Sequence, residues 1–112
     1  MAKNDYFVVA YRILAYLYAC LKSDVTVDTE EISPERLNIN LRYWLYILEH
    51  LQNDGYIEGV YIGKLLGGMP SVKLDNIAIT PSGIEFLQNN STMAKAKNFL
   101  KTLKEIIPGL PD

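Results

Sequence analysis

The chain has 112 residues, 49% of them hydrophobic and 11% aromatic, with a formal net charge of −2 and a pI of about 5.3. That length supports one hydrophobic core and not two, and the apolar content excludes a disordered chain. The slight acidity weighs against a dedicated nucleic-acid binder, which draws its affinity from an excess of Lys and Arg.

The apolar run 6–21 is interrupted only by Arg12. It is shorter than the ~20 residues a bilayer needs and carries a charge mid-span, so it predicts a core helix rather than a membrane segment. No basic-then-apolar leader with a small-residue cleavage site is visible, and a cytoplasmic location is expected. The helix starts at an Asn4 or Asp5 cap and runs to about Lys22. Phe7, Ala10, Leu14, Leu17 and Leu21 form one stripe, while Val8, Tyr11, Ala15 and Tyr18 form a second, so two sides need cover. Cys20, the single cysteine, reads as a small buried hydrophobe.

Val25-Thr26-Val27 predicts a short edge strand. Ser33-Pro34 is a cap followed by proline at the first helical position, and predicts a second helix over about 34–37. Asn38-Ile39-Asn40 makes the turn, with Asn38 left-handed, Ile39 anchored in the core and Asn40 capping a third helix. That helix is expected to bury Leu41, Trp44, Leu45, Leu48 and Leu51, and to stop at Gly55. Residues 56–62 read as one strand and 72–79 as its hairpin partner, with a bulge or turn at Asp75-Asn76. Thr80-Pro81 repeats the cap-then-proline signal and begins a helix ending near Asn89-Asn90. A last amphipathic helix reaches about Ile107, with Ala96, Phe99, Leu100, Leu103, Ile106 and Ile107 on its apolar face and lysines on the rest.

Two helices joined by a tight turn and followed by a β-hairpin predict an α+β fold: a winged helix-turn-helix with an additional C-terminal amphipathic helix. The whole chain is read as one domain, with the helix-turn-helix at about 33–54, the wing at about 56–79 and the C-terminal helices at about 80–107. The segment L-E-H-L-Q-N-D-G-Y-I (48–57), followed by I-T-P-S-G-I-E-F-L (79–87), resembles winged-helix proteins generally. The full arrangement, lysine-rich last helix included, resembles the YjcQ family of small proteins of Gram-positive bacteria and their phages. The resemblance implies a winged-helix fold and a bacterial or prophage origin, and it brings over no functional residues.

Two readings of function remain open. In the first, the chain is a small DNA-associated regulator. The third helix enters the major groove, Asn40 and Arg42 reach base edges, Tyr43 and Tyr46 meet phosphates or thymine methyls, and Lys64 and Lys73 hold the backbone from the wing. Charge opposes it: residues 24–54 hold two bases, Arg36 and Arg42, against seven acids, a net of −5. In the second, the frame is a protein-interaction module. Tyrosine-rich surfaces are common in interface hot spots, and the wing tip carries apolar Leu65, Leu66 and Met69. Self-association would use Tyr11 and Tyr18 on the first helix and Phe99 and Leu103 on the last. The expected partners are thus duplex DNA, a second copy or another protein, with no membrane, small-molecule substrate or cofactor. No enzyme is expected, since His50 is the only histidine and the lone thiol has no neighbouring base in the sequence.

Overall fold

The computed structural model describes residues 5–64, 68 and 70–90. In chain order the elements are α1 (Tyr6–Ser23), a 3-10 turn (Thr29–Ile32), α2 (Pro34–Leu37), α3 (Leu41–Asn53), β1 (Ile57–Glu58), β2 (Tyr61–Lys64), β3 (Pro70–Lys73), β4 (Ala78–Ile79) and α4 (Pro81–Asn89). The class is α+β, with helices around small antiparallel sheets, a plan compatible with a winged-helix frame. The expected last helix, with Phe99 and Leu103, lies outside the described residues.

α1 is the hub, packed on α3, α4 and β4. It is apolar on nearly all sides, as a helix covered from several directions must be. Val9, Ala10, Ile13, Leu14, Leu17 and Cys20 are buried. The ends of the expected stripe are not: Phe7 is 57% exposed and Leu21 63%. Both lie in terminal turns, where less of the fold surrounds the helix. Tyr16, which falls on neither predicted stripe, is buried instead. Its hydroxyl has a partner inside, the Asp28 N–H at 3.0 Å, so burial leaves no polar group stranded.

That bond also explains why Val25-Thr26-Val27 is not a strand. Asp24 takes the left-handed conformation at φ 54°, and the Val25 N–H returns to the Cys20 carbonyl at 3.0 Å. The chain leaves α1 committed to this cap and is next fixed by Tyr16, and no strand pairs with it among the described residues. The acids that follow form the 3-10 turn, capped by Asp28, whose Oδ1 accepts the Glu30 N–H at 3.1 Å. Ile32 plugs the core from this turn.

The α2–α3 corner follows its local signals. Ser33 Oγ accepts the Arg36 N–H at 3.2 Å, Asn38 sits at φ 58°, and Asn40 Oδ1 accepts the Tyr43 N–H at 2.9 Å. The buried arc of α3 runs from Ile47 through Leu51 and Trp44 to Leu48, about 100° wide, as an amphipathic helix requires. Leu41, 44% exposed, and half-buried Leu45 lie on its flank, and Ile47 takes the place predicted for them. The Trp44 indole N–H donates to the Ile32 carbonyl at 2.8 Å, tying α3 to the 3-10 turn.

The strand predicted over 56–62 is broken in two. Gly59 adopts φ +84° and passes so close to Asn76 that a Cβ there would lie 2.0 Å from its carbonyl oxygen. β1 pairs with β4, Ile57 opposite Ile79, whereas β2 pairs with β3, Tyr61 opposite Lys73. Between them Gly59 lies against the turn at 74–77, which contains the Asp75-Asn76 interruption read from the sequence. The break upsets the side-chain alternation, so Ile57 and Val60 are both buried, while Tyr61 is 63% and Ile62 39% exposed. Thr80 then ties the start of α4 to the end of α3. Its Oγ1 accepts the Gly83 N–H at 3.2 Å and donates to the Gly55 carbonyl, and its N–H donates to the Tyr56 carbonyl at 3.1 Å.

Candidate interaction surface

The outward side of α3 divides into two edges. Tyr43, Tyr46 and His50 recur at helical spacing along one edge, toward the start of α1. Glu49 and Gln52 lie along the other, toward the β2–β3 hairpin. Arg42 and Asn53 stand between them, both exposed.

The aromatic edge continues beyond α3 through ring contacts. The His50 and Tyr46 rings stack at 4.0 Å, and the Tyr46 and Tyr6 rings meet edge to face at 6.2 Å. Tyr6 meets Phe7 at 5.2 Å, Phe7 stacks with Phe86 at 6.5 Å, and Phe86 meets Tyr56 at 5.3 Å. Six rings from α3, α1, α4 and the approach to β1 thus form a continuous ladder. It is not sealed in the core: Phe7 is 57% and Tyr46 52% exposed, and the other four rings are half-buried. The His50 ring is held at Nδ1, which donates to the Tyr46 carbonyl at 2.8 Å.

Carboxylates border this ladder. The Tyr6 phenol is pushed above its ordinary pKa by burial first and then by the negative charge of Asp54, with neighbouring tyrosines adding to it. The Tyr43 phenol is raised by burial, then by Asp5 and by Tyr46. Glu49 is set apart from the ladder, on the hairpin edge of α3. On the cationic side, Arg36 is already engaged by Glu31 at 3.0 Å, which among the described residues leaves Arg42 as the exposed base of this region.

Two clefts flank the same helix. One of about 350 Å³ is lined by Pro34, Glu35, Asn38, Ile39, Asn40 and Tyr43 at the α2–α3 corner. A wider one of about 910 Å³ separates α3 from the hairpin, with Glu49 and Gln52 on one side and Val60 to Gly63, Ser71 and Lys73 on the other.

The predicted contact residues therefore scatter. Asn40 is exposed, but its Oδ1 is committed to the cap. Asn40 and Tyr43 share the smaller cleft, Tyr46 belongs to the ring ladder, and exposed Lys73 lines the wider cleft across from Glu49. Lys64 ends β2 opposite Pro70. Tyr11, predicted at an interface between copies, is 6% exposed within a single chain, so that part of α1 is already covered. Tyr18 is half-buried with Lys22 Nζ 4.4 Å from its ring centroid. Leu65, Leu66 and Met69 lie outside the described residues.

The sequence reading singled out none of Tyr6, Tyr56 and Phe86, whose signal is aromatic content alone, and it set Phe7 in the covered stripe of α1 rather than on this surface. Among the described residues no group of three His, Cys, Asp or Glu side chains could hold a metal, and no helix is long and apolar enough to cross a membrane. The Cys20 thiol is buried and pushed up by desolvation, unlike an activated nucleophile.

The family model described as YjcQ protein matches residues 11–106, so the chain belongs to the YjcQ family. No curated protein and no solved structure matches it.

Proposed function

We propose that this member of the YjcQ family is a non-catalytic winged-helix module that uses the α3 face to bind another protein rather than to read duplex DNA. One observation carries the reading: the outward face of α3 joins an aromatic ladder edged by Asp5 and Asp54, where a DNA-reading helix needs cations. Each phosphate contact draws affinity from a Lys or Arg that displaces counterions, and carboxylates on the same face oppose every such contact. Half-exposed tyrosine and phenylalanine rings offer large apolar area at low side-chain entropy, the property that makes them protein-binding anchors.

A second reading, a DNA-associated regulator, is favoured by one feature. Asn40 and Arg42 are exposed at the N-terminal turn of α3, and exposed Lys73 stands on the hairpin beyond the wider cleft. Fluorescence anisotropy of a labelled mixed-sequence duplex separates the two. The protein-binding reading expects no saturable binding at about 50 mM salt, where electrostatic contacts are strongest. Saturable binding that falls steeply by about 200 mM salt and is lost in Arg42→Ala would establish the DNA reading instead.

A further inference from the structure

We propose that the ring ladder docks a basic amphipathic segment of a partner protein, with apolar side chains seated on Phe7 and Tyr46 and Lys or Arg heads meeting Asp5 and Asp54. The assignment rests on the protein-binding reading and names the chemistry of the partner.

Charge chooses among the occupants that an exposed aromatic face admits. Two carboxylates stand by the ladder and its edge: Asp54 at the end of α3, whose charge reaches Tyr6, and Asp5 at the start of α1, whose charge reaches Tyr43. Arg42, one turn before Tyr46, is the only Lys or Arg of α3. A duplex would bring phosphates against the carboxylates. A second copy docked face to face would bring the same acids against themselves, and like charges set opposite each other at an interface weaken association. A segment carrying Lys or Arg reverses the sign of each of these contacts. Guanidinium and ammonium groups also gain from lying against exposed tyrosine and phenylalanine rings, while their methylene stems cover apolar surface. The ladder is supported for this use, because every exposed ring is braced by another: Tyr46 by His50 and Tyr6, and Phe7 by Tyr6 and Phe86. Braced rings lose little further freedom when a partner arrives.

The test is an NMR titration of the isotope-labelled full chain with a synthetic peptide of about 15 residues, leucines and arginines placed so that a helix has one apolar and one basic face. The same titration is run with its leucine–glutamate counterpart. The expected result is saturable shifts at Tyr6, Phe7 and Tyr46 with the arginine peptide and none with the glutamate one. Asp5→Asn combined with Asp54→Asn is expected to weaken binding about tenfold, as the loss of two exposed charge contacts implies. Phe7→Ala should weaken it by a similar factor, and Arg42→Ala, which removes the opposing cation, should tighten it. All four positions are exposed or at helix ends, and the Arg42 variant decides the matter even if the double variant folds poorly. Equal binding of the two peptides, no binding of the arginine peptide, shifts confined to the β2–β3 hairpin, or weaker or unchanged binding in Arg42→Ala would each overturn the assignment. Failure here without DNA binding leaves the protein-binding reading in place, whereas salt-steep DNA binding overturns both.

Discussion

The side-chain amide of Gln52 closes both backbone groups of Val60. Its Oε1 accepts the Val60 N–H at 2.7 Å, and its Nε2 donates to the Val60 carbonyl at 2.8 Å. Val60 is the buried residue at the point where β1 ends and β2 begins, and it has no strand opposite it. One glutamine on α3 thus does what a neighbouring strand does elsewhere in a sheet, and it fixes the hairpin's position beside the helix.

Gln52→Ala should therefore cost about 2 kcal/mol in urea denaturation, the penalty for leaving partly buried backbone groups unpaired. Gln52→Glu keeps an acceptor for the Val60 N–H but sets a carboxylate against the Val60 carbonyl, and should be destabilised as well. Neither variant should behave like an ordinary surface substitution, which falls within about 0.5 kcal/mol.

The glycines separate by geometry. Gly59→Ala combines a positive φ with a Cβ 2.0 Å from the Asn76 carbonyl oxygen, and should cost about 3 kcal/mol or more. Gly83→Ala lies in α4, where alanine would ordinarily help by about 1 kcal/mol. Its Cβ would meet the Tyr56 carbonyl oxygen at 2.3 Å, so it should destabilise instead. Gly63→Ala, with nothing within 4 Å, should be close to neutral. Denaturation midpoints of the three variants check the order.

What was legible in the sequence was local. Ser33-Pro34, Asn38, Asn40 and Gly55 each act on their own neighbours, and α2 and α3 begin and stop where those residues dictate. The break at Gly59 was not legible, because its cause is the Asn76 backbone across the sheet, and Ile57, Val60, Tyr61 and Ile62 around it are good strand formers. Val25-Thr26-Val27 has strand composition, yet Tyr16, twelve residues before Asp28, takes the backbone donor that follows it. The ring ladder was hidden for a similar reason. Tyr46 was visible as an outward residue, but its partner Tyr6 is 40 positions away and Phe86 another 79 beyond Phe7, separations that helical periodicity does not encode.

Alkaline pH should weaken the fold through its buried phenols. Burial raises the Tyr16 pKa above its ordinary value, despite the Asp28 N–H it receives, and Tyr6, Tyr11 and Tyr43 shift the same way. A phenol whose pKa is raised on folding loses its proton first in the unfolded chain. Its stabilising contribution is thus complete below pH ~10 and declines as pH rises above that value. Tyr16→Phe should lower stability by about 1 kcal/mol near pH 7, for the lost hydrogen bond, and give a shallower decline above pH ~10. Thermal melts from neutral to strongly alkaline pH read both effects.

Cys20 should be silent in the native chain. It is 2% exposed and its thiol is pushed up by desolvation, so thiol-reactive dyes near pH 8 should label it only on opening. Native labelling is expected to be at least about a hundredfold slower than labelling in denaturant, and a destabilising substitution such as Gln52→Ala should speed it.

The α3 face is tested most directly by amide and side-chain NMR shifts of the full chain on addition of a mixed-sequence duplex at low salt. Protein binding in place of DNA readout predicts an unchanged spectrum at Asn40, Arg42, Tyr43, Tyr46 and Lys73. Saturable shifts at those residues that vanish at higher salt and in Arg42→Ala would contradict it.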